Sequence, residues 1–207
     1  MKISLKTNQL IVVAAYMYMV LLTIALAVNI SKAALPQVYG HISFILLEAL
    51  YLLLMYYMIS VLTFFKEQKF IAAAFIIYFC LDLLINSPGY KLGISLNFPI
   101  RITLNFFDFL TKIYILIAVL NIKNAYIKLP YQLFGASLLI IALIKLIITL
   151  AYPLVVREES GYQIAYHLRT IMDCLELLGL ISPVSVLLLI KRVDKSISEE
   201  EIASAAS

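Results

Sequence analysis

The apolar residues of this chain are grouped into long blocks, and this grouping limits the possible folds more than any other feature. Hydrophobic residues make up 64% of the 207 residues and charged residues only 14%, whereas a soluble domain is about half apolar and about a quarter charged. The blocks approach the roughly 20 residues that a helix needs to cross a bilayer. Because a helix satisfies its own backbone groups in lipid, the sequence predicts an all-α integral membrane protein.

Six apolar blocks predict a six-transmembrane-helix bundle. The predicted helices are 10–30, 42–64, 70–86, 102–120, 133–152 and 168–190. Proline and glycine fall between most of them, and the charged stretch 66–69 predicts a tight hairpin. Pro183 is expected to kink the sixth helix. We predict one transmembrane domain over residues 1–195 and a short, mostly disordered tail over 196–207.

The two ends of the chain are expected in the cytoplasm. Lys2 and Lys6 before an apolar run resemble a secretory signal peptide, but the run is long enough to span, which favours a first transmembrane helix. Lysine and arginine are richest before the first helix, after the second, fourth and sixth helices, and sparser elsewhere. The positive-inside rule therefore predicts cytoplasmic N- and C-termini in a cell or inner membrane.

Ionisable residues inside the predicted spans indicate where a functional site would lie, because such residues are costly in lipid. They are Glu48, Asp82, Asp108, Lys112, Lys145, Asp173 and Glu176. In the predicted orientation all of them fall in the outer half or near the midplane, and the inner half is expected to be almost purely apolar. The sequence thus predicts an outward-facing acidic cavity in which these residues bind an ion or ligand.

Helical spacing extends this cavity towards its predicted rim. Arg101, Asn105, Asp108 and Lys112 step by four, three and four positions, which places them on one helix face. The predicted rim residues are His41, Arg101, Asn105, Tyr166 and Arg169. A weak repeat, in which a carboxylate follows a basic residue by seven positions, joins the pairs His41 and Glu48, Arg101 and Asp108, and Arg169 and Glu176. Its period favours three helical hairpins in series.

The same charges also permit a purely structural interpretation. Asp108 and Lys112 are spaced to neutralise each other on one helix, and Lys145 can pair with Asp82 or Asp173. Against this interpretation, the spans hold five carboxylates and two lysines. Charges that only joined helices would balance, so the excess acid favours a bound cation, a proton or a basic solute.

Three functions stay open at this point. The preferred one is a transporter or channel-like protein for a cation, proton or basic small solute. A non-catalytic sensor or subunit, which binds a ligand outside and acts through a protein partner, fits the apolar inner half. The third is an intramembrane acid–base hydrolase using Asp108 and Glu176, although an enzyme is the less expected class.

Neither metal nor nucleic-acid chemistry is indicated. His41 and His167 lack metal-ligand spacing, and no basic stripe with interleaved aromatic residues occurs. We therefore predict no metal, cofactor or nucleic-acid partner. The expected partners are the lipid bilayer and either a second copy of the chain or a membrane or cytoplasmic protein.

Overall fold

The computed structural model describes residues 3–31, 37–86, 98–155, 171 and 176–205. These residues form helices and contain no strand, so the predicted all-α class is confirmed for the described part of the chain. The helices are α1 (Leu5–Ser31), α2 (Gln37–Phe64), α3 (Lys69–Asn86), α4 (Phe98–Leu120), α5 (Ala125–Val155) and α6 (Ile181–Ala205). A 3-10 helix, Glu176–Leu180, directly precedes α6.

Four of the described helices are long and apolar enough to cross a membrane. The apolar stretches are Leu5–Val28 in α1, Ile45–Phe64 in α2, Ile102–Leu120 in α4 and Ala125–Ala151 in α5. Their outer faces are also apolar: Val13, Val20 and Ile24 of α1 are each more than half exposed. Such a surface suits hydrocarbon rather than water, which fits a membrane protein. The count of six spans stays a prediction.

The six helices form a closed ring. Each helix packs against the next one along the chain, and α6 packs against α1. The contact between α4 and α5 is the most extensive. It is close because Gly135 of α5 has no side chain: a Cβ there would lie 3.0 Å from Cγ2 of Val119.

One end of the ring gathers both tight turns, and we call it the hairpin end. The turns at 65–68 and 121–124 meet there, because the Glu67 carboxylate accepts a hydrogen bond from the Asn124 backbone N–H at 2.7 Å. The start of α1 and the later part of α6 lie at this end as well, since Asn8 Nδ2 donates to Asp194 Oδ1 at 2.5 Å. Neighbouring helices therefore alternate in direction, as consecutive membrane crossings would. We call the opposite end the far end.

The helix starts differ from the predicted ones. The first helix begins at Leu5 rather than 10, because Ser4 Oγ caps it by accepting the Thr7 N–H at 3.2 Å. The second begins at Gln37 rather than 42. The fourth begins at Phe98 rather than 102, with Pro99 in its first turn. A backbone N–H in the first turn has no helical acceptor, so its absence in proline costs no hydrogen bond.

Pro130 lies inside the fifth helix, whereas the predicted helix 133–152 would begin after it. The helix begins at Ala125 rather than 133. Proline cannot donate to the carbonyl four residues earlier, which is that of Tyr126. Arg192 of α6 donates to this carbonyl instead, at 2.8 Å, so the interruption is compensated from another helix.

The last helix also differs from its prediction. Its α-helical part begins at Ile181, after the 3-10 helix, so Pro183 lies in its first turn rather than in a helix interior. The change from 3-10 to α geometry falls just before this proline. The helix then continues to Ala205, so most of the tail that was predicted to be disordered is helical.

Candidate functional site

A group of charged and hydroxyl side chains is buried between α2, α3 and α4. We call it the Lys112 cluster, and it consists of Tyr51, Tyr78, Asp82, Asp108 and Lys112. Only 6% of Lys112 is exposed. Its ammonium forms a salt bridge with Asp108, one helical turn earlier. This pairing confirms the expectation that a buried ammonium near the middle of a span needs a carboxylate within hydrogen-bonding reach.

Two tyrosines connect this ion pair to the neighbouring helices. Lys112 Nζ lies 5.9 Å from the centroid of the Tyr78 ring, within the range of a cation–π interaction. The hydroxyls of Tyr78 and Tyr51 are 2.6 Å apart and share a hydrogen bond. Asp82 lies one turn beyond Tyr78 on the same face of α3 and is partly buried. The cluster thus joins three helices through polar groups.

The cluster combines two carboxylates, those of Asp82 and Asp108, with the ammonium of Lys112 and the hydroxyls of Tyr51 and Tyr78. Carboxylate and hydroxyl oxygens can hold a proton or a hard cation.

The cluster lies near the middle of the bundle. Lys112 precedes the end of α4 at Leu120 by eight residues, which corresponds to about 12 Å along the helix. Asp108 lies about 6 Å farther towards the far end. Both residues therefore lie within the central part of the span Ile102–Leu120.

Polar contacts continue from this depth towards the far end. Asn105 Nδ2 of α4 donates to Thr149 Oγ1 of α5 at 3.1 Å. The predicted site residue Lys145 lies one turn before Thr149 and is partly buried. Glu48 is also partly buried and precedes Tyr51 by three positions, so both lie on one side of α2. The pair of Asn105 and Thr149 is thus a further polar contact beyond the cluster, and a role of Glu48 and Lys145 in one shared cavity stays a prediction.

The remaining predicted site residues, or their side chains, lie outside the part of the chain that the structure describes. The side chains of His41, Arg101 and Glu176, and the whole of Tyr166, Arg169 and Asp173, lie outside the described part of the chain. Their assignment to the cavity and its rim stays a prediction, and so does the arrangement as three helical hairpins in series.

Towards the hairpin end the cluster is followed by a packed apolar layer. Phe75 of α3 and Phe134 of α5 are stacked with their ring centroids 5.8 Å apart, and both are fully buried, as is Ile115 of α4. By their positions along α3, α4 and α5, these side chains lie between the cluster and the hairpin end.

The hairpin end holds a second polar group that the sequence did not reveal. Asn8 is 1% exposed; its amide oxygen accepts a hydrogen bond from the Tyr57 hydroxyl at 2.9 Å, and its amide nitrogen donates to Asp194. Asn8 precedes the predicted first span and Asp194 follows the predicted sixth, so these two residues lie outside the predicted spans, and the apolar inner half stays a prediction. The burial of Asn8 could have been inferred from its helical spacing with Ile11 and Ala15, because these three residues share the buried face of α1.

No protein-family model, curated protein or solved structure matches this chain.

Proposed function

We propose that the protein is a small transporter or channel-like protein for a cation, a proton or a basic small solute, with the Lys112 cluster as its central binding site. In this proposal α3 and the segment containing α6 supply a fifth and a sixth crossing. The 18 residues of α3 correspond to about 27 Å, close to the thickness of a bilayer core. The lysine-rich hairpin end faces the cytoplasm.

The observation that carries the proposal is the grouping of two carboxylates, one ammonium and two hydroxyls inside the bundle. The salt bridge of Asp108 and Lys112 lies within α4, and the Lys112 ammonium lies over the Tyr78 ring of α3. Tyr78 shares a hydrogen bond with Tyr51, and Asp82 follows it by one turn on α3. Carboxylate and hydroxyl oxygens suit a hard cation, and either carboxylate can hold a proton.

In this site the Lys112 ammonium would compete with the bound species for the Asp108 carboxylate. A cation or basic group that approached Asp108 would displace the ammonium, and protonation of Asp108 would remove its charge partner. Binding would therefore change the contacts between α3 and α4, which the cluster connects. The packed layer of Phe75, Ile115 and Phe134 would form the closed side, and transport requires it to open. We propose that Asp173 and Glu176, which precede α6 in the sequence, complete the site.

A sensor or subunit is the second candidate, and the bonding of the hairpin half favours it. Asn8, Tyr57 and Asp194 tie α1, α2 and α6 together there. The Tyr131 hydroxyl of α5 donates to the Met58 carbonyl of α2 at 2.5 Å. If this half stays closed, a ligand bound in the far half would act through a protein partner at the hairpin end.

Reconstitution into liposomes separates these functions. A pH-sensitive dye inside the vesicles reports proton flux under an imposed potential, and radiolabelled sodium or a small amine reports solute uptake. The proposal predicts flux that Asp82→Asn reduces at least about tenfold. Glu199→Gln, which neutralises a carboxylate exposed on α6, is the matched control and should keep it.

Thermal melting of the same samples completes the test. A cation that stabilises the protein without crossing the bilayer would support the sensor. The absence of both flux and stabilisation, for protons, sodium and amines alike, would contradict the assignment of the cluster as a binding site.

A further inference from the structure

The two tight turns of the bundle are held together by one carboxylate. Glu67, in the turn between α2 and α3, accepts hydrogen bonds from the backbone N–H groups of Lys123, at 3.3 Å, and Asn124, at 2.7 Å. These two residues lie just before α5, where the helix dipole favours a negative charge. The left-handed backbone of Lys66, with φ of 53°, completes the turn that presents Glu67.

This contact brings together lysines from two turns that are far apart in sequence. Lys66 and Lys69 flank Glu67 on one side, and Lys123 and Lys128 flank the partner turn; we call these four the hairpin lysine cluster. The side chains of Lys66, Lys69 and Lys123 are exposed and that of Lys128 is partly buried. Within the described part of the chain no ion pair joins any of the four to a carboxylate, because Glu67 is directed at backbone N–H groups.

The cluster lies where apolar helix surface ends. Phe70 and Leu129, next to Lys69 and Lys128 in sequence, are exposed at 38% and 46%, and Phe64 and Leu120 end the neighbouring spans. A cationic group beside exposed apolar side chains at a helix end matches the depth of lipid phosphates. The N-terminus of α3 adds positive potential at the same place.

We propose that the hairpin lysine cluster binds the headgroup phosphate of an anionic phospholipid, whose acyl chains cover the adjacent apolar surface. This goes beyond the positive-inside rule, which needs lysines on one side of the membrane but not their assembly into a site. The assembly depends on Glu67. Removing this acid raises the net charge, which favours nonspecific attraction of anions, yet it releases the two turns and disperses the lysines.

Melting of the full chain in detergent supplemented with dioleoylphosphatidylglycerol or dioleoylphosphatidylcholine tests the proposal. We expect only the anionic lipid to raise the melting temperature. The triple variant Lys66→Gln, Lys69→Gln and Lys123→Gln should lower the apparent affinity by about fivefold per lysine. The control triple Lys6→Gln, Lys191→Gln and Lys195→Gln removes the same charge from exposed positions at the same end, and its loss should be much smaller.

The variant Glu67→Ala tests the role of the joined turns most specifically. It should weaken binding of phosphatidylglycerol despite its added positive charge, and native mass spectrometry of retained lipid measures this independently of melting. Equal losses in the two triple variants would overturn the proposal. So would unchanged or stronger lipid binding by Glu67→Ala, or a stabilisation by inorganic phosphate as large as that by the lipid.

Discussion

The Arg192 guanidinium of α6 donates a hydrogen bond to the main-chain carbonyl of Tyr126, 2.8 Å away, and this is the carbonyl that Pro130 leaves without its helical donor. An interruption within α5 is thereby turned into a link between α5 and α6. A proline inside a transmembrane helix is tolerated when a neighbouring helix satisfies the released carbonyl.

This link predicts that the effect of an Arg192 substitution on stability depends on the residue at position 130. Arg192→Gln should lower the stability by about 1 kcal/mol in the wild-type background, the usual size of one such bond. In a Pro130→Ala background the loss should be smaller, because the substituted residue has a backbone N–H that can donate to the carbonyl itself. Melting of the four variants measures the coupling, with Lys191→Gln as a neighbouring control. The same loss in both backgrounds would contradict the compensation.

A second prediction concerns the buried amide at the hairpin end. Asn8→Ala removes the partner of both the Tyr57 hydroxyl and the Asp194 carboxylate. Leaving buried polar groups without partners costs about 1–3 kcal/mol each, so the melting temperature should fall clearly. Gln9→Ala, at the adjacent exposed position, should change it little. Equal melting of the two variants would show that the Asn8 bonds contribute nothing.

The contact between α4 and α5 gives a steric prediction. Gly135→Val places its Cβ 3.0 Å from Val119 Cγ2, where α4 is also close through the Cα of Leu116 at 3.6 Å. Overpacking of this kind costs about 1–3 kcal/mol. At Gly179 the nearest atom to an added Cβ is a side-chain carbon of Leu22 at 3.6 Å, so Gly179→Val should be tolerated. A wild-type melting temperature for Gly135→Val would mean that the helices do not approach so closely.

The tyrosine pair allows a test of mechanism rather than stability. Tyr78→Phe removes one of two hydroxyls that share a hydrogen bond beside the carboxylates, so we expect flux to fall severalfold while the fold is kept. Tyr131→Phe also removes a buried hydroxyl, but one that contacts the Met58 carbonyl in the apolar half. Because this contact lies nearer the hairpin end, away from the Lys112 cluster, the variant should retain flux even if melting is lowered. If both variants transport equally, the Tyr78 hydroxyl has no role in the site.

Much of the helical framework could be predicted from the sequence, because length and hydropathy alone determine which segments suit a bilayer. The hairpin at 66–69, the ends of α2, α3 and α4, and the pairing of Asp108 with Lys112 depend on local spacing. Each of them is found where it was predicted, or within a residue of it.

Contacts between distant parts of the chain could not be predicted in this way. From the sequence alone Pro130 is expected to lie outside a helix. Nothing near it in the sequence shows that Arg192, in another helix, donates to the carbonyl that the proline leaves without a helical donor. Asn8 lay before the predicted first helix, and nothing local indicates that it meets Asp194. The hydrogen bond between Tyr51 and Tyr78 likewise depends on how α2 and α3 pack, which no periodic pattern in either helix specifies.

We propose that the ion pair of Asp108 and Lys112 belongs to a working site and is more than a stabilising pair within α4. The double variant Asp108→Asn, Lys112→Met tests this most directly, because removing both partners leaves neither of them as an unpaired buried charge. Replacing both members of a buried ion pair costs much less stability than removing one of them, so melting should stay near the wild-type value. In liposomes this folded variant should lose cation or proton flux by at least about tenfold, and wild-type flux through it would show that the ion pair has no part in transport.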